Sequence, residues 1–535
     1  MNRLYYGDNL SWLQKHDEFP NESVDLIYLD PPFNSNTDYN LIFNEKSGEK
    51  SQAQWKAFDD TWKWEKESAH QALLELTTLA PSVSEFIRWL SRHGDTKSTS
   101  MAAYLSMMAI RLLELHRVLK STGSIYLHCD ATAGHYLKVI MDVIFGAKNF
   151  RNEIIWQKIR VTKAQTRGFG NVNDLILFYT KSDKFVFHPQ FRELDPKYIE
   201  SHYKKDQKTG KLYTDVSMLQ RGSGAPRRFG DVLLTPPEGR HWIWSQERID
   251  QAMKDGLIIF TSKGRPRKVQ YIDDIEGDVV DNIWTDISPI NSQSKERLPY
   301  PTQKPLALLE RIINSSSNKD DIILDPFCGC GTAIVAANKL NRKWIGIDVT
   351  YLAINLVERR LIDNFDNEVQ GTYRVHGDPL DFTSAQELFV RDSKDKHAFE
   401  LWALKLVNAR PRLKDGGVDG VIGFIDENDD PKRIIVQVKG GASLIPSIIR
   451  DLDGTVKNEN AVMGLLITLH QPTKGMYKYA NHAGDYKTAQ REKPFPLLQI
   501  RTVSELLEGK LFDLPTSKKP EKILYTERER REFLF

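Results

Sequence analysis

The sequence predicts an α/β fold built on a largely parallel β-sheet. Apolar runs of four to six residues alternate with longer segments whose apolar residues recur at helical spacing, which is typical of strand–helix–strand units. The alternation occurs in two stretches, 24–145 and 306–347, and is lost between them. The predicted strands are 24–29, 124–128, 321–324 and 343–347, and the predicted helices are 101–120, 136–145, 306–314 and 332–340.

The predicted elements have local reasons to end where they do. The strand VDLIYL is mostly apolar and stops at the carboxylate of Asp30. The helix MAAYLSMMAIRLLELHRVLK ends before a turn at 121–123, and the helix that begins at 136 ends before Gly146. Glycine just beyond the last helical turn is a common helix terminator. Such punctuated elements indicate packed domains.

Size and composition exclude several classes of protein. The chain has 535 residues, of which 40% are apolar and 27% charged, with a formal net charge of +2. We expect about three or four domains from this length, and the charge balance confines any nucleic-acid-binding surface to local basic patches. Three cysteines do not make a disulfide framework in so long a chain. No stretch approaches the ~20 apolar residues of a membrane span, so a cytoplasmic protein is expected.

The first candidate site is the tip of the first predicted strand, which reads DPPF. An exocyclic amino group on a nucleobase is a poor nucleophile because its lone pair is delocalised into the ring. The Asp30 carboxylate and the Pro31 carbonyl can accept hydrogen bonds from both of its hydrogens, which favours a nitrogen with an available lone pair. Pro31 and Pro32 stiffen the backbone, and Phe33 offers a face on which an extruded base can stack. The alternative is a strand-end carboxylate capping a turn.

The second candidate site is the glycine turn DPFCGCGT at 325–332. It follows a predicted strand and opens a predicted helix, so its glycines allow a close ligand approach to the helix N-terminus. Asp325 can hold a cationic group, and Asp348, at the tip of the next strand, is placed for ribose hydroxyls. A simple tight turn is the alternative. The two cysteines of the turn have no second pair for a zinc site, and we expect them to be packing residues.

Together the two motifs indicate a family. The chain resembles the S-adenosylmethionine-dependent DNA amino-methyltransferases, with DPPF similar to their catalytic motif and DPFCGCGT similar to their cofactor motif. The strings GDNLSWL, RVLKSTGSIYLHCD, NFRNEIIW and YPTQKP extend the resemblance over residues 1–382. The catalytic motif comes first in the chain, as in the β-class. The resemblance therefore implies a Rossmann-like methyltransferase sheet in circularly permuted motif order.

The resemblance also implies roles for individual residues. Asp30, Pro31, Pro32 and Phe33 would form the target-base site. Asp8 would lie near the cofactor adenine. The residues implied for S-adenosylmethionine are Asp8, Thr302, Gln303, Lys304, Asp325, Phe327, Gly329, Gly331, Thr332 and Asp348.

The predicted target is N6 of adenine, because an initial Asp in this motif is more often linked with adenine and an initial Ser with cytosine. N4 of cytosine is the alternative. The chain departs from the commonest pattern at Phe33, where Tyr is usual, and at Asp348, where Glu is frequent. Phe33 keeps the stacking face, and Asp348 keeps the ribose acceptor with a shorter reach.

The segment 161–298 lies where this class keeps its target-recognition domain. Basic residues are interleaved there with aromatic residues and glycines, which favours contact with the phosphates and base edges of double-stranded DNA. For each residue alone, a solvated surface charge is the alternative. The candidates are Arg227, Arg228, Arg240, Lys263, Arg265, Arg267 and Lys268.

The C-terminal segment resembles the Mrr-like branch of the PD-(D/E)xK nuclease fold over residues 390–500. Asp419 precedes an apolar segment, and the strand IIVQVK carries Gln437 and Lys439 on one face. The resemblance implies that Asp419 and Gln437 hold Mg²⁺, that Lys439 lies beside the attacking water and that Glu400 assists from a helix. Neutral Gln437 attracts a metal less than a carboxylate would. A nuclease fold retained only for DNA binding is the alternative.

The sequence thus predicts a site-specific DNA adenine methyltransferase related to restriction-modification, with DNA cleavage as a second candidate activity. Double-stranded DNA is the expected partner, no membrane is expected, and a homodimer or a restriction-system partner is left open. The competing hypotheses are a DNA-binding protein without turnover, and RNA or a protein glutamine as substrate. The predicted domains are a catalytic half at 1–160, a target-recognition domain at 161–298, a cofactor-binding half at 299–383 and an α/β restriction-endonuclease-like domain at 384–535.

Overall fold

The computed structural model describes most of the chain in two compact units. The larger unit is Met1–His188 with Asn282–Phe535, and the smaller unit is Pro189–Asp281. The predicted base-site residues Pro32 and Phe33 lie outside the described residues. No helix in the described ranges is long and apolar enough to cross a membrane. These ranges are 1–31, 66–93, 96–159, 168–207, 209–291, 293–298, 300, 302–391, 397–412, 417–428, 430–488 and 492–515.

A nine-stranded, mostly parallel sheet lies at the centre of the larger unit. Its strands are β1 (Asn2–Tyr6), β2 (Val24–Leu29), β3 (Leu119–Cys129), β4 (Phe150–Gln157), β5 (Asn173–Thr180), β6 (Ile283–Trp284), β7 (Ile322–Asp325), β8 (Lys343–Asp348) and β9 (Tyr373–His376). Their order is β6-β4-β5-β3-β2-β7-β8-β1-β9, and β5 runs antiparallel to both of its neighbours. The predicted α/β class is confirmed.

Helices connect these strands and bury apolar side chains against the sheet. Leu76, Ile87, Leu112 and Leu127 belong to one core cluster and are at most 1% exposed. Each such side chain contributes roughly 1.5–3 kcal/mol by its burial. The helices are α1 (Asn9–Leu13), α2 (Lys66–Leu79), α3 (Pro81–His93), α4 (Thr96–Val118), α5 (Gly134–Met141), α6 (Leu306–Ser316), α7 (Thr332–Lys339) and α8 (Tyr351–Phe365), with single π or 3-10 turns at Asp142–Gly146, Ala147–Asn149 and Asn367–Thr372.

One predicted turn is instead a bulge inside a strand. The sequence predicts a turn at 121–123, but β3 begins directly after α4 and continues through these residues. The pairing of β3 with β2 shifts register between Leu119 and Ser124, so the residues between them leave the ladder. The Lys120 ammonium donates to the Asp25 carboxylate at 2.7 Å and anchors the bulge.

The strands β2 and β7 lie side by side in the middle of the sheet, with Leu26 opposite Ile323 and Ile27 opposite Leu324. From β7 the chain crosses to β8 on one side, and from β2 it crosses to β3 on the other. The carboxyl ends of β2 and β7 therefore flank a topological switch point, which is where open α/β sheets bind ligands.

The C-terminal part of the larger unit contains a five-stranded sheet. Its first three strands are antiparallel and its last three are parallel. The order is β10 (Arg410–Pro411), β11 (Gly420–Ile425), β12 (Pro431–Lys439), β13 (Met463–Thr468) and β14 (Leu498–Thr502). The helices are α9 (Phe382–Arg391), α10 (His397–Lys405), α11 (Pro446–Asn458), α12 (Lys474–His482) and α13 (Val503–Leu507), and a ribbon pairs Asp485–Tyr486 with Phe495–Pro496.

This C-terminal part is docked on α8 through a shared core and a partly buried ion cluster. Tyr351, at the start of α8, belongs to the same apolar cluster as Trp402 of α10. The Lys405 ammonium lies 2.7 Å from Glu358 and 2.8 Å from Asp378. Burial lowers the pKa of Lys405, but the two carboxylates outweigh this effect and the pKa is raised.

The smaller unit has its own core, which includes Met218, Phe229 and Ile249. It is shorter than the predicted segment 161–298 because β5 and β6, near the two ends of that segment, belong to the large sheet. A four-stranded sheet has the order Ile258–Phe260, Pro266–Tyr271, Leu212–Ser217 and Lys204–Lys205. Three two-stranded ribbons pair Arg227–Phe229 with Val232–Leu234, Leu219–Arg221 with Arg240–Trp242 and Phe191–Arg192 with Asp278–Val279. The helices of this unit are Pro196–His202, Gln246–Lys254 and a 3-10 turn at Ile272–Asp274.

Candidate functional site

Asp30 lies directly after β2, at the switch point of the sheet. The Lys304 ammonium donates to Asp30 Oδ2, and the two side chains are only 12% and 17% exposed. Pro31, the next residue, is buried. The sequence assigned Lys304 to the cofactor, whereas the structure places its ammonium on the predicted catalytic carboxylate.

The glycine turn follows β7 without a break. Gly329 and Gly331 have φ angles of +48° and +75°, in the left-handed region that favours glycine. A Cβ on Gly331 would lie 2.7 Å from Val357 Cγ2, and one on Gly329 would lie 3.0 Å from the Tyr300 hydroxyl. The Gly331 backbone N–H donates to the Cys328 carbonyl at 2.7 Å and closes the turn before α7. Backbone conformation and close packing therefore both require glycine at these two positions.

Three carboxylates meet at the ends of β2, β7 and β8. Burial raises the pKa of Asp325 well above its ordinary value, and the charges of Asp30 and Asp348 raise it further against the opposing influence of Lys304. Burial also raises the pKa of Asp348. Buried carboxylates that repel one another make a site that favours a cationic ligand.

Hydrogen bonds fix the orientation of two of these carboxylates. Asp325 Oδ1 accepts from the Phe327 backbone N–H at 3.0 Å. Asp348 Oδ2 accepts from the Gly329 backbone N–H at 2.9 Å, and Oδ1 accepts from the Thr350 backbone N–H and hydroxyl, both at 2.8 Å. A carboxylate oxygen can accept about two hydrogen bonds, so Oδ2 of Asp348 can accept one more. Asp348 is therefore held against the glycine turn and still has the acceptor capacity that a ribose hydroxyl needs.

The loop before α6 carries three of the predicted cofactor residues. Gln303 accepts from the Leu298 backbone N–H at 2.7 Å and donates to the Glu296 carbonyl at 2.6 Å, so its side chain shapes the loop itself. Thr302 is exposed. Of the three, Lys304 is the residue that the structure brings to Asp30.

Thr332 begins α7 and is held by a buried arginine. Its hydroxyl accepts from Arg360 Nη1 at 3.1 Å, and the same Nη1 donates to the Cys330 carbonyl at 2.7 Å. Burial raises the pKa of the Cys328 and Cys330 thiols. Both cysteines are therefore buried as neutral thiols inside the turn.

The residues predicted for the nuclease site lie around the end of β12. Glu400 and Lys439 line one cavity of about 220 Å³, to which Phe389 of α9 also contributes. Asp419 Oδ2 accepts from the Val438 backbone N–H at 2.6 Å. The structure thus brings Glu400 and Lys439 to one cavity and fixes Asp419 to the strand that carries Gln437.

Gln437 presents an unused hydrogen-bond acceptor. Its Nε2 donates to the Gly417 carbonyl at 2.8 Å, and a carbonyl partner determines which end of the amide is the nitrogen. Its Oε1 is buried and has no hydrogen-bond partner in the described part of the chain. Such an orphaned acceptor costs about 1–3 kcal/mol, and a metal ion or its bound water would satisfy it. Among the described residues, no group of three or more His, Cys, Asp or Glu side chains is placed to hold a metal.

Two family models match the chain. A DNA methylase family model matches residues 24–359. The chain belongs to the DNA methylase family. A restriction endonuclease family model matches residues 388–493, which confirms the predicted Mrr-like domain in the C-terminal part of the methylase.

Curated relatives of the methylase include a type II methyltransferase, a Mod subunit of a type III restriction-modification enzyme and a DNA adenine methyltransferase. The type II methyltransferase M.EcaI of Enterobacter cloacae is 31% identical over 272 residues, which are 50% of this chain and 60% of that protein. The StyLTI Mod subunit of a type III restriction-modification enzyme of Salmonella typhimurium is 27% identical over 64% of this chain and 50% of its own length. The DNA adenine methyltransferase YhdJ of Escherichia coli is 24% identical over 67% of this chain and 82% of its own. The chain thus spans only 60% and 50% of the first two relatives.

The methylase contains two site residues that the sequence prediction missed. Asn9 Nδ2 donates to the Pro326 carbonyl at 2.7 Å, and Asn9 Oδ1 accepts from Arg111 Nε at 2.6 Å. Arg111 Nη2 also donates to Asp8 at 2.5 Å. This network ties the predicted cofactor residue Asp8 to the glycine turn. The signal for Arg111 was its position as a lone cation in the apolar stretch MAIRLL of α4.

Proposed function

We propose that this methylase transfers a methyl group from S-adenosylmethionine to N6 of adenine in double-stranded DNA. The observation that carries the proposal is the convergence of Asp30, Asp325 and Asp348 at the ends of three adjacent strands. One carboxylate begins the DPPF motif, and the other two flank the glycine turn. A target-base site and a cofactor site therefore share the switch point of one sheet.

Asp30 and Pro31 supply the acceptors that amino-group chemistry needs. A carboxylate and a carbonyl that accept the two N–H hydrogen bonds of the amino group keep its lone pair available for attack. Asp30 is largely buried, so water competes poorly for these bonds. The other requirement is an in-line arrangement of the reacting atoms, which a rigid site at the strand ends can provide.

The residues around the glycine turn fit S-adenosylmethionine. Asp325 is buried and Asp348 is partly buried, and the pKa of both is raised. These two carboxylates match a ligand that carries a sulfonium and an ammonium group. The positive φ angles of Gly329 and Gly331 hold the backbone open where a Cβ would fill the space. When bound, S-adenosylmethionine supplies a methyl group that is already activated on positively charged sulfur. Asp348 would hold the ribose, and Asp325 would face the cationic end.

Adenine is the favoured base for two reasons. The motif begins with Asp30 rather than with serine, and one relative that aligns with 67% of this chain is named a DNA adenine methyltransferase. Methylation of cytosine N4 is the alternative outcome of the nucleoside assay described in the Discussion.

The smaller unit supplies a DNA-binding surface in this proposal. Arg221 and Arg240 are exposed and lie directly opposite each other on one ribbon. Like charges in this position repel, and a DNA phosphate between them would relieve the repulsion. Arg228 is also exposed on a ribbon. Arg267 differs, because its guanidinium is bound to Asp215 at 2.8 Å and therefore stabilises the sheet of the unit.

Cleavage of DNA is the second candidate function, and the unsatisfied Oε1 of Gln437 favours it. Asp419 and Gln437 would hold Mg²⁺, whose chemistry is to activate a water molecule. Lys439 and Glu400 would face that water from the shared cavity. Gln437→Glu should keep or raise Mg²⁺-dependent cleavage, and Gln437→Leu should abolish it without unfolding the domain. If the wild type binds DNA but never cuts it at any Mg²⁺ concentration, the domain has only a binding role.

A restriction-modification system is the proposed setting. The restriction endonuclease segment and the relationship to a type III Mod subunit support this assignment. The enzyme would then act on DNA in the cytoplasm, either as a homodimer or with a restriction partner. Sedimentation of the purified chain with and without DNA distinguishes a monomer from a homodimer.

The test of the main proposal is methyl transfer from labelled S-adenosylmethionine to unmodified DNA. The wild type should label DNA, and Asp30→Asn should lose roughly 10²–10⁴-fold in rate while still binding the cofactor. Asp130→Asn is the matched control, because Asp130 also follows a strand, β3, and its Oδ1 accepts from the Thr132 backbone N–H at 3.0 Å in the turn before α5. Its rate should stay near that of the wild type. Cofactor binding without label in any DNA would refute the proposal.

A further inference from the structure

Lys304 is the residue whose observed position differs most from its expected role. It lies 274 residues from Asp30 in the chain, yet its ammonium donates to Asp30 Oδ2 in a largely buried ion pair. A carboxylate has two oxygens, and each can accept hydrogen bonds. The contact through Oδ2 therefore leaves Oδ1 as the oxygen with which Asp30 can meet a substrate.

The surroundings of Asp30 make this cation important. Among the described residues, the titratable groups that interact electrostatically with Asp30, at the ends of β2, β3 and β7 and in the loop before α6, include Tyr28, Cys129, Asp325 and Tyr300. Burial raises the pKa of the two phenols and of the thiol, so these groups are neutral. Asp325 is a carboxylate that repels a negative charge on Asp30, and the Lys304 ammonium opposes this repulsion.

The loop that carries Lys304 is held in place independently of Asp30. Gln303 bridges the loop by its two hydrogen bonds. Glu296 Oε2 accepts from the Leu306 backbone N–H at 3.1 Å and so caps the start of α6. Pro305, which joins Lys304 to this helix, is buried. The ammonium is thus presented from a fixed loop, and little order has to be gained when the site assembles.

On the basis of the methyl transfer proposed above, we propose that Lys304 is a positioning residue for Asp30. It fixes the orientation of the carboxylate through Oδ2 and leaves Oδ1 to accept an N–H of the target amino group. The role assigned by the sequence, contact with the cofactor, predicts a different defect when Lys304 is changed. The two roles can therefore be separated by experiment.

The first measurement is kcat for methyl transfer and the KM for S-adenosylmethionine in wild type, Lys304→Met and Lys304→Arg. Without the contact, Asp30 can leave the orientation that the target amino group requires, and a misplaced group in a reacting site costs on the order of 10²-fold in rate. Lys304→Met should therefore lower kcat by about that factor and leave the KM for S-adenosylmethionine unchanged. Lys304→Arg keeps a cationic donor and should retain most of the wild-type kcat. Lys319→Met removes an exposed lysine elsewhere and should leave both constants unchanged.

A purely cofactor-binding role would give another result and overturn the inference. In that case Lys304→Met would raise the KM for S-adenosylmethionine, and kcat at saturating cofactor would equal that of the wild type. An unfolded Lys304→Met variant would be recognised by its lost thermal transition, and Lys304→Gln would then take its place in the same assay.

A second measurement tests the contact without relying on turnover. Thermal midpoints of wild type, Asp30→Asn, Lys304→Met and the double variant form a cycle at pH 8. If Lys304 supports the charge of Asp30, the double variant should be destabilised by less than the sum of the two single variants. Additive shifts would overturn the inference even in an active enzyme. Non-additive shifts in a protein that methylates no DNA would instead mean that the contact exists and that the proposed function is wrong.

Discussion

Replacement of Gly331 by alanine should open the glycine turn and weaken cofactor binding. The residue has a φ angle of +75°, where an L-residue costs roughly 1–2 kcal/mol. The new Cβ would also lie 2.7 Å from Val357 Cγ2. Val357 is 0% exposed and β-branched, so it cannot rotate away freely. Overpacking of this kind costs about 1–3 kcal/mol, which gives an expected loss of about 2–5 kcal/mol.

The assay combines urea unfolding with calorimetric titration of S-adenosylmethionine. Gly331→Ala should shift the unfolding midpoint downward and reduce cofactor affinity, because the strain is located in the turn that binds the cofactor. Gly371→Ala is the matched control, since its φ is not in the left-handed region and a Cβ there would have nothing within 4 Å. The control should change stability by no more than about 0.5 kcal/mol.

A second substitution separates the steric part of this cost from the backbone part. Val357→Ala removes the atom that a new Cβ at position 331 would strike. The double variant should therefore lose about 1–3 kcal/mol less than the sum of the two single variants. Full additivity, or wild-type cofactor affinity in Gly331→Ala, would refute the reasoning.

Two further predictions follow from the buried charges. Lys405→Met strands two partly buried carboxylates at the junction with the nuclease-like part, so it should cost about 2–4 kcal/mol in urea unfolding. Lys339→Met is the control, because it breaks an ion pair of similar length, 2.7 Å, whose lysine is 55% exposed. Its loss in free energy of unfolding should be at most about 1 kcal/mol. Equal losses for the two variants would show that Lys405 does not hold the C-terminal part on α8. Burial and neighbouring carboxylates raise the folded-state pKa of Asp325. The unliganded protein should therefore lose stability as pH rises above the ordinary carboxyl range, because the folded state then has to give up a proton that it binds more tightly than the unfolded state does. The affinity for a cationic cofactor should increase over the same pH range, because Asp325 becomes charged. Asp325→Asn should flatten both pH dependences, and unchanged slopes would show that another group titrates.

The parts of the site that follow from local sequence were predictable. Asp30, Asp325 and Asp348 each end an apolar run, and parallel strands bring their carboxyl ends to one edge of a sheet. The positive φ angles of Gly329 and Gly331 follow from the turn that the motif forms. In these cases strand type and turn chemistry determine the position of the side chain.

The parts that depend on long-range packing were not predictable from one sequence. Lys304 meets Asp30 across 274 residues, and the loop geometry that directs it depends on the two hydrogen bonds of Gln303. Asn9 and Arg111 join the glycine turn through contacts that no local pattern encodes. The smaller unit also spans fewer residues than the predicted segment 161–298, and the basic and aromatic composition of that segment gives no sign that β5 belongs to the large sheet.

The most direct test of the account is the nucleoside composition of DNA after incubation with the enzyme and S-adenosylmethionine. The wild type should yield N6-methyl-2′-deoxyadenosine, and Asp30→Asn should yield none. N4-methyl-2′-deoxycytidine would preserve the role of Asp30 and overturn the choice of base. Absence of any methylated nucleoside, in a protein that binds S-adenosylmethionine, would contradict the central claim that Asp30 and the glycine turn form a DNA amino-methyltransferase site.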